Sequence, residues 1–565
     1  MIAKRLKYGL ALVALTAGCA TQPAAPPAAP PTAPMPHGHG AAEAPAAAAP
    51  PLFTDLGSYR RPVTTDSPQA QAYFDQGLRL VYSFNHYEGL ASFREAARLD
   101  PDCALCHWGI ALSLGSNYNS PTDAERERQA YAAVQKALGV ATTATPAERA
   151  LIEATARRHA AEPPADRKPL DEAYAEALRA AAARFPEDPD VATLAADALM
   201  NLRPWDLWQA DGTPYEGTLE LVATLERVLA VHPDHPGANH LYIHAVEASP
   251  EPGRAEAAAD RLRGMVPGAG HMEHMPSHIY FRVGRYADAE AVNVRAAEAD
   301  RAYFERREPS MIYRSMYYPH NLDFIWQSAA MTGQSAAALR AAREFQSEVP
   351  AEMIAKMSDA EIATAAPLYV LARFGKWDEI LREPQPQSDW LYTVGVWHYA
   401  RCLAYLRTGR PSDAEAELAA LRAHRERVPA ERTYAGFFKA RDMLQFADDI
   451  LAGELASQAG RHDEAIARLR AAVMAQDTHW FTEPPPWYFP VRQALGAALL
   501  AAGRPAMAES VYRDDLRRTP KNGWSLFGLA QALRAQGKDA DAAAVDNEFR
   551  AAWAEADVEL TASRF

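Results

Sequence analysis

Chemistry in this sequence concentrates in its histidines. The stretch from His232 to His278 holds His232, His235, His240, His244, His271, His274 and His278, seven of the chain's 17, and His320 follows. On a helix, His240, His244 and Glu247 stand at i, i+4 and i+7 and share a face, so two imidazoles and a carboxylate converge. Such a donor set holds one transition metal, and imidazole with carboxylate suits Zn, Cu and Fe alike. The candidate ligands are His240, His244, Glu247, His278 and His320, with His271, His274 and His86 ranked behind them. The competing reading is ordinary: single histidines cap helices and bond carbonyls. Leu241 stands where a His-x-x-x-His metalloprotease carries its general-base Glu, so that class is not supported. Pro276 predicts a helix start, because proline fits the first turn of a helix and nowhere further in. His278 then lies in that turn, where exposed N–H dipoles favour a neutral imidazole, while His271 and His274 precede the helix.

A second group is Cys103-Ala-Leu-Cys106-His107, which has the letters of a c-type haem attachment site. Three readings stay open: a redox-active or structural Cys103–Cys106 pair, metal-binding thiols, and covalent haem. Haem is the least favoured, because Trp108-Gly109 are packing residues and His107 beside them leaves a haem little room. Cys402 has no partner in sequence and reads as a buried, hydrophobe-like thiol. Two aromatic-proline phrases interrupt the helical rhythm: Arg203-Pro204-Trp205-Asp206-Leu207-Trp208 with Asp211-Gly212, and Glu483-Pro484-Pro485-Pro486-Trp487-Tyr488. As loops they either plug the stack with tryptophan or wall a pocket. In the second case Trp205, Asp206, Trp208 and Asp211 form the wall, and the two acids accept imidazole N–H groups. A Gly-rich phosphate loop, a Gly-x-Ser-x-Gly elbow and a dinucleotide fingerprint are all missing, and no catalytic residue is assigned.

The elements that must carry these residues are helices. Beyond residue 70, runs of Ala, Leu, Arg and Glu alternate with short Gly/Pro/Asp breaks. Gly89, Phe93, Ala96 and Pro101 match the second helix of a tetratricopeptide repeat (TPR) and its closing proline, with Gly77 and Trp108-Gly109 in first-helix places on either side. The pattern returns in Leu495-Gly496, Ala508, Tyr512 and Pro520, then Trp524, Phe527-Gly528 and Ala540. Gly496 and Gly528 lie 32 positions apart, close to the 34-residue period. Gly284-Arg285-Tyr286 with Ala289, Gly409-Arg410 with Ala414, and Gly460-Arg461 with Ala465 mark further hairpins. The expectation is an all-α, TPR-type solenoid from about residue 66 to 560, curled around a concave groove lined by first helices. Successive first helices lie side by side, so His240 and His244 should meet His278 across one repeat step, with His320-Asn321 entering from the next hairpin.

Several phrases go beyond any repeat consensus: Phe84-Asn85-His86-Tyr87-Glu88, the segment from Asp100 to Gly109, and Asn201 to Trp208. To these add Asn239-His240-Leu241-Tyr242-Ile243-His244 with Glu247, His274-Met275-Pro276-Ser277-His278-Ile279-Tyr280, Tyr318-Pro319-His320-Asn321, and Pro484-Pro485-Pro486-Trp487-Tyr488. With them the chain resembles a family of exported bacterial TPR proteins over nearly its whole mature length. The resemblance implies the fold and assigns no activity. It also implies a histidine two places after Asn321, where this chain has Asp323.

Composition sets the outer bounds. The 565 residues are 48% hydrophobic and 23% charged, and 58 Lys and Arg against 72 Asp and Glu give −14, which disfavours nucleic acid as a partner. Lys4, Arg5 and Lys7, the apolar run Leu10–Ala17 and Gly18-Cys19 read as a lipoprotein-type signal over 1–19, with Cys19 lipidated. Residues 20–51 are Ala/Pro-rich and read as a disordered tether. The remainder divides into an N-terminal superhelix with the histidine-rich groove, 52–340, and C-terminal repeats, 341–565. The expected address is the bacterial outer membrane, facing the periplasm, with a lipid anchor as the membrane contact; a soluble periplasmic or secreted protein is the alternative. Two functions follow: a scaffold for a protein or peptide partner, with a metal site in its groove, or a metal-dependent enzyme or metal-binding protein built on His240, His244 and His278.

Overall fold

The computed structural model describes residues 49–434, 438–478 and 481–565. The signal segment, Cys19 and the tether up to residue 48 lie outside the described residues. Helices follow one another along the rest of the chain, with one short antiparallel pair, Thr433–Tyr434 against Phe438–Lys439.

Local chemistry sets the helix starts. Ser67 caps Pro68–Tyr82 by accepting the Ala70 N–H, and Asn85 caps His86–Leu99 by accepting that of Glu88. Thr145 and Glu148 form a reciprocal capping box on Pro146–Arg158. Proline occupies the first turn of Pro68–Tyr82, Pro189–Met200, Pro236–Val246 and Pro276–Arg282, where its missing N–H costs nothing.

Each helix packs on its chain neighbours, and the first helices of successive hairpins also touch, which makes the chain an all-α, TPR-type solenoid. The packing device recurs at both ends. A Cβ at Gly77 would lie 2.8 Å from the Phe93 ring, and one at Gly109 2.3 Å from it. At the other end, a Cβ at Gly496 or Gly528 would lie 2.3 Å from the Tyr512 ring. One aromatic ring thus sits between two glycine-bearing helices in each place.

Among the described residues two large hydrophobic cores run along the solenoid, one built from residues between Leu56 and Tyr317 and the other from residues between Ala297 and Val545, with a small third cluster of Phe281, Tyr286, Phe324 and Met331. Each stretch curls until its helices meet again. Pro68–Tyr82 packs on Pro236–Val246, where Gly237 admits the Tyr82 ring at 2.5 Å from its would-be Cβ. Arg61 locks this closure through Asp188 at 2.7 Å and Asp190 at 2.9 Å, both partners of a nearly buried guanidinium. Further on, Tyr318–Thr332 packs on Gly523–Arg534, and Trp524 Nε1 donates to the Ala330 carbonyl at 3.0 Å. Among the described residues no helix is long and apolar enough to cross a membrane.

Candidate metal centre

The closure of Pro68–Tyr82 on Pro236–Val246 builds the site. His240 and His244 project from one face of the latter helix, and Glu247 follows at its C-terminal end. His271 and His274 sit on the short helix Gly270–His274, and His278 on Pro276–Arg282. His320 lies in the first turn of Tyr318–Thr332, directly after a π-helical turn over Tyr313–Tyr317, a distortion that recurs at functional sites. His240, His244, His271, His274 and His278 are all buried, whereas His320 is partly exposed. They do not line an open groove as the sequence predicts, because the curl of the first helices encloses them.

Two histidine triads result, and a third group, His244, Glu247 and His278, straddles them. The nitrogens offered by His240, His244 and His271 lie within 4.8 Å of one another, as do those of His274, His278 and His320. The triads adjoin, with ring centroids 5.6 Å apart for His244 and His278 and 5.9 Å for His271 and His274. In the first triad, His240 Nδ1–H donates to the Tyr82 carbonyl at 2.6 Å and His244 Nδ1–H to Glu247 Oε1 at 3.0 Å. Both hydrogen bonds fix the tautomer and leave Nε2 as a bare lone pair. The Nε2 atoms of His240, His244 and His271 are buried without a hydrogen-bond partner. In the second triad, His274 Nδ1–H donates to Asn293 Oδ1 at 2.6 Å, and Asn293 is itself oriented by its donation to the Ala289 carbonyl. His278 Nδ1 hydrogen-bonds Glu247 Oε2 at 2.5 Å and lies 2.8 Å from Glu483 Oε2. Its Nε2 meets His274 Nε2 at 2.6 Å, a separation that requires a shared proton between the two nitrogens.

Electrostatics divides the histidines into two kinds. Burial, reinforced by neighbouring imidazoles, holds His240, His271 and His274 well below the ordinary histidine range and His244 and His320 down to about 3. These rings are neutral and competent as ligands. Burial also opposes a charge on His278, but Glu483 and Glu247 outweigh it and push that histidine up to about 10. The expectation of a dipole-neutralised His278 is therefore wrong: two carboxylates overwhelm one helix terminus. Glu483 itself is raised to about 7 by burial and by repulsion from Glu247.

Aromatic rings enclose the cluster. Phe84 packs at centroid distances of 4.4 Å from His240, 5.7 Å from His244 and 5.4 Å from His271. Tyr118 and Trp205 stack at 4.9 Å and flank His244, Tyr317 covers His271 at 4.6 Å, and Phe324 stacks on His278 at 5.3 Å. Phe84 and Trp205 hold left-handed backbones, φ 55° and 63°, which a bulky side chain adopts only under constraint.

The other predicted residues sort themselves around this geometry. His271 and His274, expected ahead of the helix, point into the cluster because Met275 keeps helical dihedrals and joins the two short helices, placing His274 one turn before His278. His86 stands beside Phe84 at 5.9 Å, outside both triads, with its pKa lowered to about 4 by burial. His235 caps its helix and bonds Asp190 at 3.2 Å, and His232 is exposed. Trp205 walls the site, but Trp208 is turned to the Ala245 carbonyl at 2.8 Å. Asp206 and Asp211 do not accept from imidazoles: Asp206 pairs with Arg203, and exposed Asp211 bonds the Thr213 N–H, because the loop turns both outward. Asn321 donates to Asp300 at 2.7 Å, and Asp323 is buried beside Gln327 and raised to about 7 by burial. Glu483 and the rings of Phe84, Tyr118, Tyr317 and Phe324 were not among the predicted site residues. Glu483 heads the Pro-Pro-Pro-Trp-Tyr phrase, which marks an irregular loop but does not by itself place the acid beside His278.

Cys103 and Cys106 form a disulfide, which occupies both sulfurs that a haem or a metal would need. The pair is buried at the start of Ala104–Leu114, and Cys103 Sγ also accepts the Cys106 N–H at 3.2 Å as the helix cap. Burial pushes the lone Cys402 thiol up to about 12, as fits an inert core residue.

No protein-family model matches the chain, and no curated protein matches it in sequence. Among solved structures it is similar to the human IFIT1 dimer with m7Gppp-AAAA, at 12% identity and TM-score 0.30 over 87% of this chain and 92% of that one. It is also similar to the P58(IPK) TPR domain, at 11% identity and TM-score 0.20 over 83% and 98%, and to the APC/C hetero-tetramer Cut9-Hcn1, at 12% identity and TM-score 0.27 over 86% and 88%. At such scores these likenesses carry no argument about what this chain binds.

Proposed function

We propose that this protein is a transition-metal-binding protein whose centre is the buried histidine cluster, carried on a helical-repeat scaffold. One observation carries the reading. The Nε2 atoms of His240, His244 and His271 are buried and unpartnered, the three rings each offer a nitrogen within 4.8 Å of the others, and Tyr82 and Glu247 anchor the opposite nitrogens of the first two. A buried lone pair without a partner is costly, and imidazoles anchored at Nδ1 by a carbonyl or carboxylate are the usual form of metal ligands. Left-handed Phe84 and Trp205 support the reading, since strain of this kind collects at functional sites. Metal bound by these nitrogens would act as a Lewis acid or an electron carrier. Glu247 would orient His244 and His278, and the aromatic rings would keep bulk water away.

The place of action we propose is outside the cytoplasm, anchored through Cys19 at the outer membrane. The Cys103–Cys106 disulfide supports this address, because such bonds persist in oxidising compartments. Labelling of Cys19 with a fatty acid, lost in Cys19→Ser, tests the anchor.

Elemental analysis by plasma mass spectrometry tests the metal. Protein purified without a His tag or chelator should carry Zn, Cu or Fe, and His240→Ala/His244→Ala should lose about one equivalent while keeping its helical circular dichroism. Unchanged metal content in the double variant would refute the site. A folded, metal-free wild type would favour the scaffold reading, in which the repeat surface binds a protein or peptide.

A further inference from the structure

We infer that the cluster holds two metal ions rather than one, and that it takes them as a pair of cuprous ions. The inference rests on the reading of the cluster as a metal centre. His240, His244 and His271 share no residue with His274, His278 and His320, so both triads can be filled at once. Glu247 joins them, since its two oxygens accept from His244 in one triad and His278 in the other and fix both rings. The close Nε2 pair of His274 and His278 holds a proton where a cation would sit.

The choice of metal follows from donor type and charge. Each triad offers three imidazole nitrogens, once His278 gives up the Nε2 proton it shares with His274, and no thiolate or carboxylate, a set that Cu(I) accepts in trigonal form, whereas zinc takes a fourth ligand such as water. Among the described residues, the carboxylates seen against these imidazoles are Glu247 and Glu483, both buried. Arg282, whose guanidinium donates to the Glu247 carbonyl and feels both acids, adds one positive charge, so two monovalent ions leave an excess of one. Two divalent ions would leave an excess of three in the same buried site, which is far more unfavourable without further anions.

The test loads the metal-free, mature full chain anaerobically with Cu(I), and in parallel with Zn(II), and counts retained metal after desalting. Wild type should keep about two Cu(I) per chain, and His271→Ala and His320→Ala about one each, because each variant disables one triad. X-ray absorption at the copper edge of the wild type should show about three nitrogen neighbours per copper, a readout that does not depend on any variant folding. One copper in wild type, lost in both variants, would overturn the pair and leave the metal-centre reading standing. Two zinc ions retained against copper would overturn the charge argument alone. Retention of neither metal by folded wild type would overturn both readings.

Discussion

Buried polar rings gather at the centre of both halves of the solenoid, histidines in the first and tyrosines in the second. The tyrosines serve one another: Tyr369 and Tyr392 share a hydroxyl hydrogen bond at 2.5 Å, Tyr399 and Tyr488 another at 2.9 Å, and Tyr434 stacks on Tyr392 at 3.8 Å. The histidines are anchored on one side and left open on the other, with the Nε2 atoms of His240, His244 and His271 unpartnered. Both groups sit in the same helical architecture, with the same glycine–aromatic–glycine packing nearby. The difference shows that burial alone does not mark a site. The tyrosine hydroxyls satisfy one another, with the Trp487 Nε1 packed on Tyr369 and Tyr399 left unpartnered, whereas the histidine cluster gathers three unpartnered nitrogens in a single triad.

The equivalence of the packing can be attacked first. Phe93→Ala and Tyr512→Ala should each destabilise the protein by about 3–5 kcal/mol in urea unfolding, since each leaves a hole between two glycine-bearing helices. A loss below about 1 kcal/mol at either would show that the two ends are not built alike. Next in size is the disulfide, which closes a very short loop. Cys103→Ala/Cys106→Ala should cost about 2 kcal/mol, read as a drop in the urea midpoint, and an unchanged midpoint would count against a bonded pair.

The contrast between the two ring clusters gives a smaller, opposed pair of effects. Tyr369→Phe removes one of the two hydroxyl partners of Tyr392, leaving Tyr434, and should cost about 1 kcal/mol. In metal-free protein, His271→Leu removes an unsatisfied nitrogen and should be neutral or slightly stabilising, within about 1 kcal/mol. If His271→Leu destabilised the metal-free fold more than Tyr369→Phe, the histidines would be core residues after all.

Titration offers the finest distinction. His278 is held up near 10, above the ordinary 6.5, so the stability its charge contributes is full below about pH 6.5 and fades as pH rises through about 10. His244 and His320, held down near 3, do the reverse: their contribution is present above about 6.5 and is lost as pH falls toward 3. Nitrogen-15 NMR of metal-free protein should therefore find His278 protonated at pH 8 while His244 stays neutral at pH 5. Glu483→Gln should lower the His278 midpoint, and an unmoved midpoint would separate Glu483 from the site.

The repeat was legible because its packing is local. Gly77, Phe93 and Gly109, like Gly496, Tyr512 and Gly528, are close enough in sequence for a period to show. The shared face of His240, His244 and Glu247 was legible for the same reason, being a property of one helix. The Met275 backbone was not, because Pro276 signals a helix start equally well after an extended segment or after another helix, and His271 and His274 were ranked low on that account. Glu483 was hidden by distance. It approaches His278 only through the curl of the whole array, and no local spacing encodes how far a superhelix turns.

That separation gives the centre a history as well as a geometry. The cluster's last histidine, His320, precedes Glu483 by 163 positions. A chain made from its N-terminus at about 5–20 residues per second completes its six imidazoles roughly 8–30 s before its second buried acid exists. In that interval Glu247 is the one acid of the pair that the chain already holds. The pair of acids facing His278 is therefore complete only after most of the chain has been made.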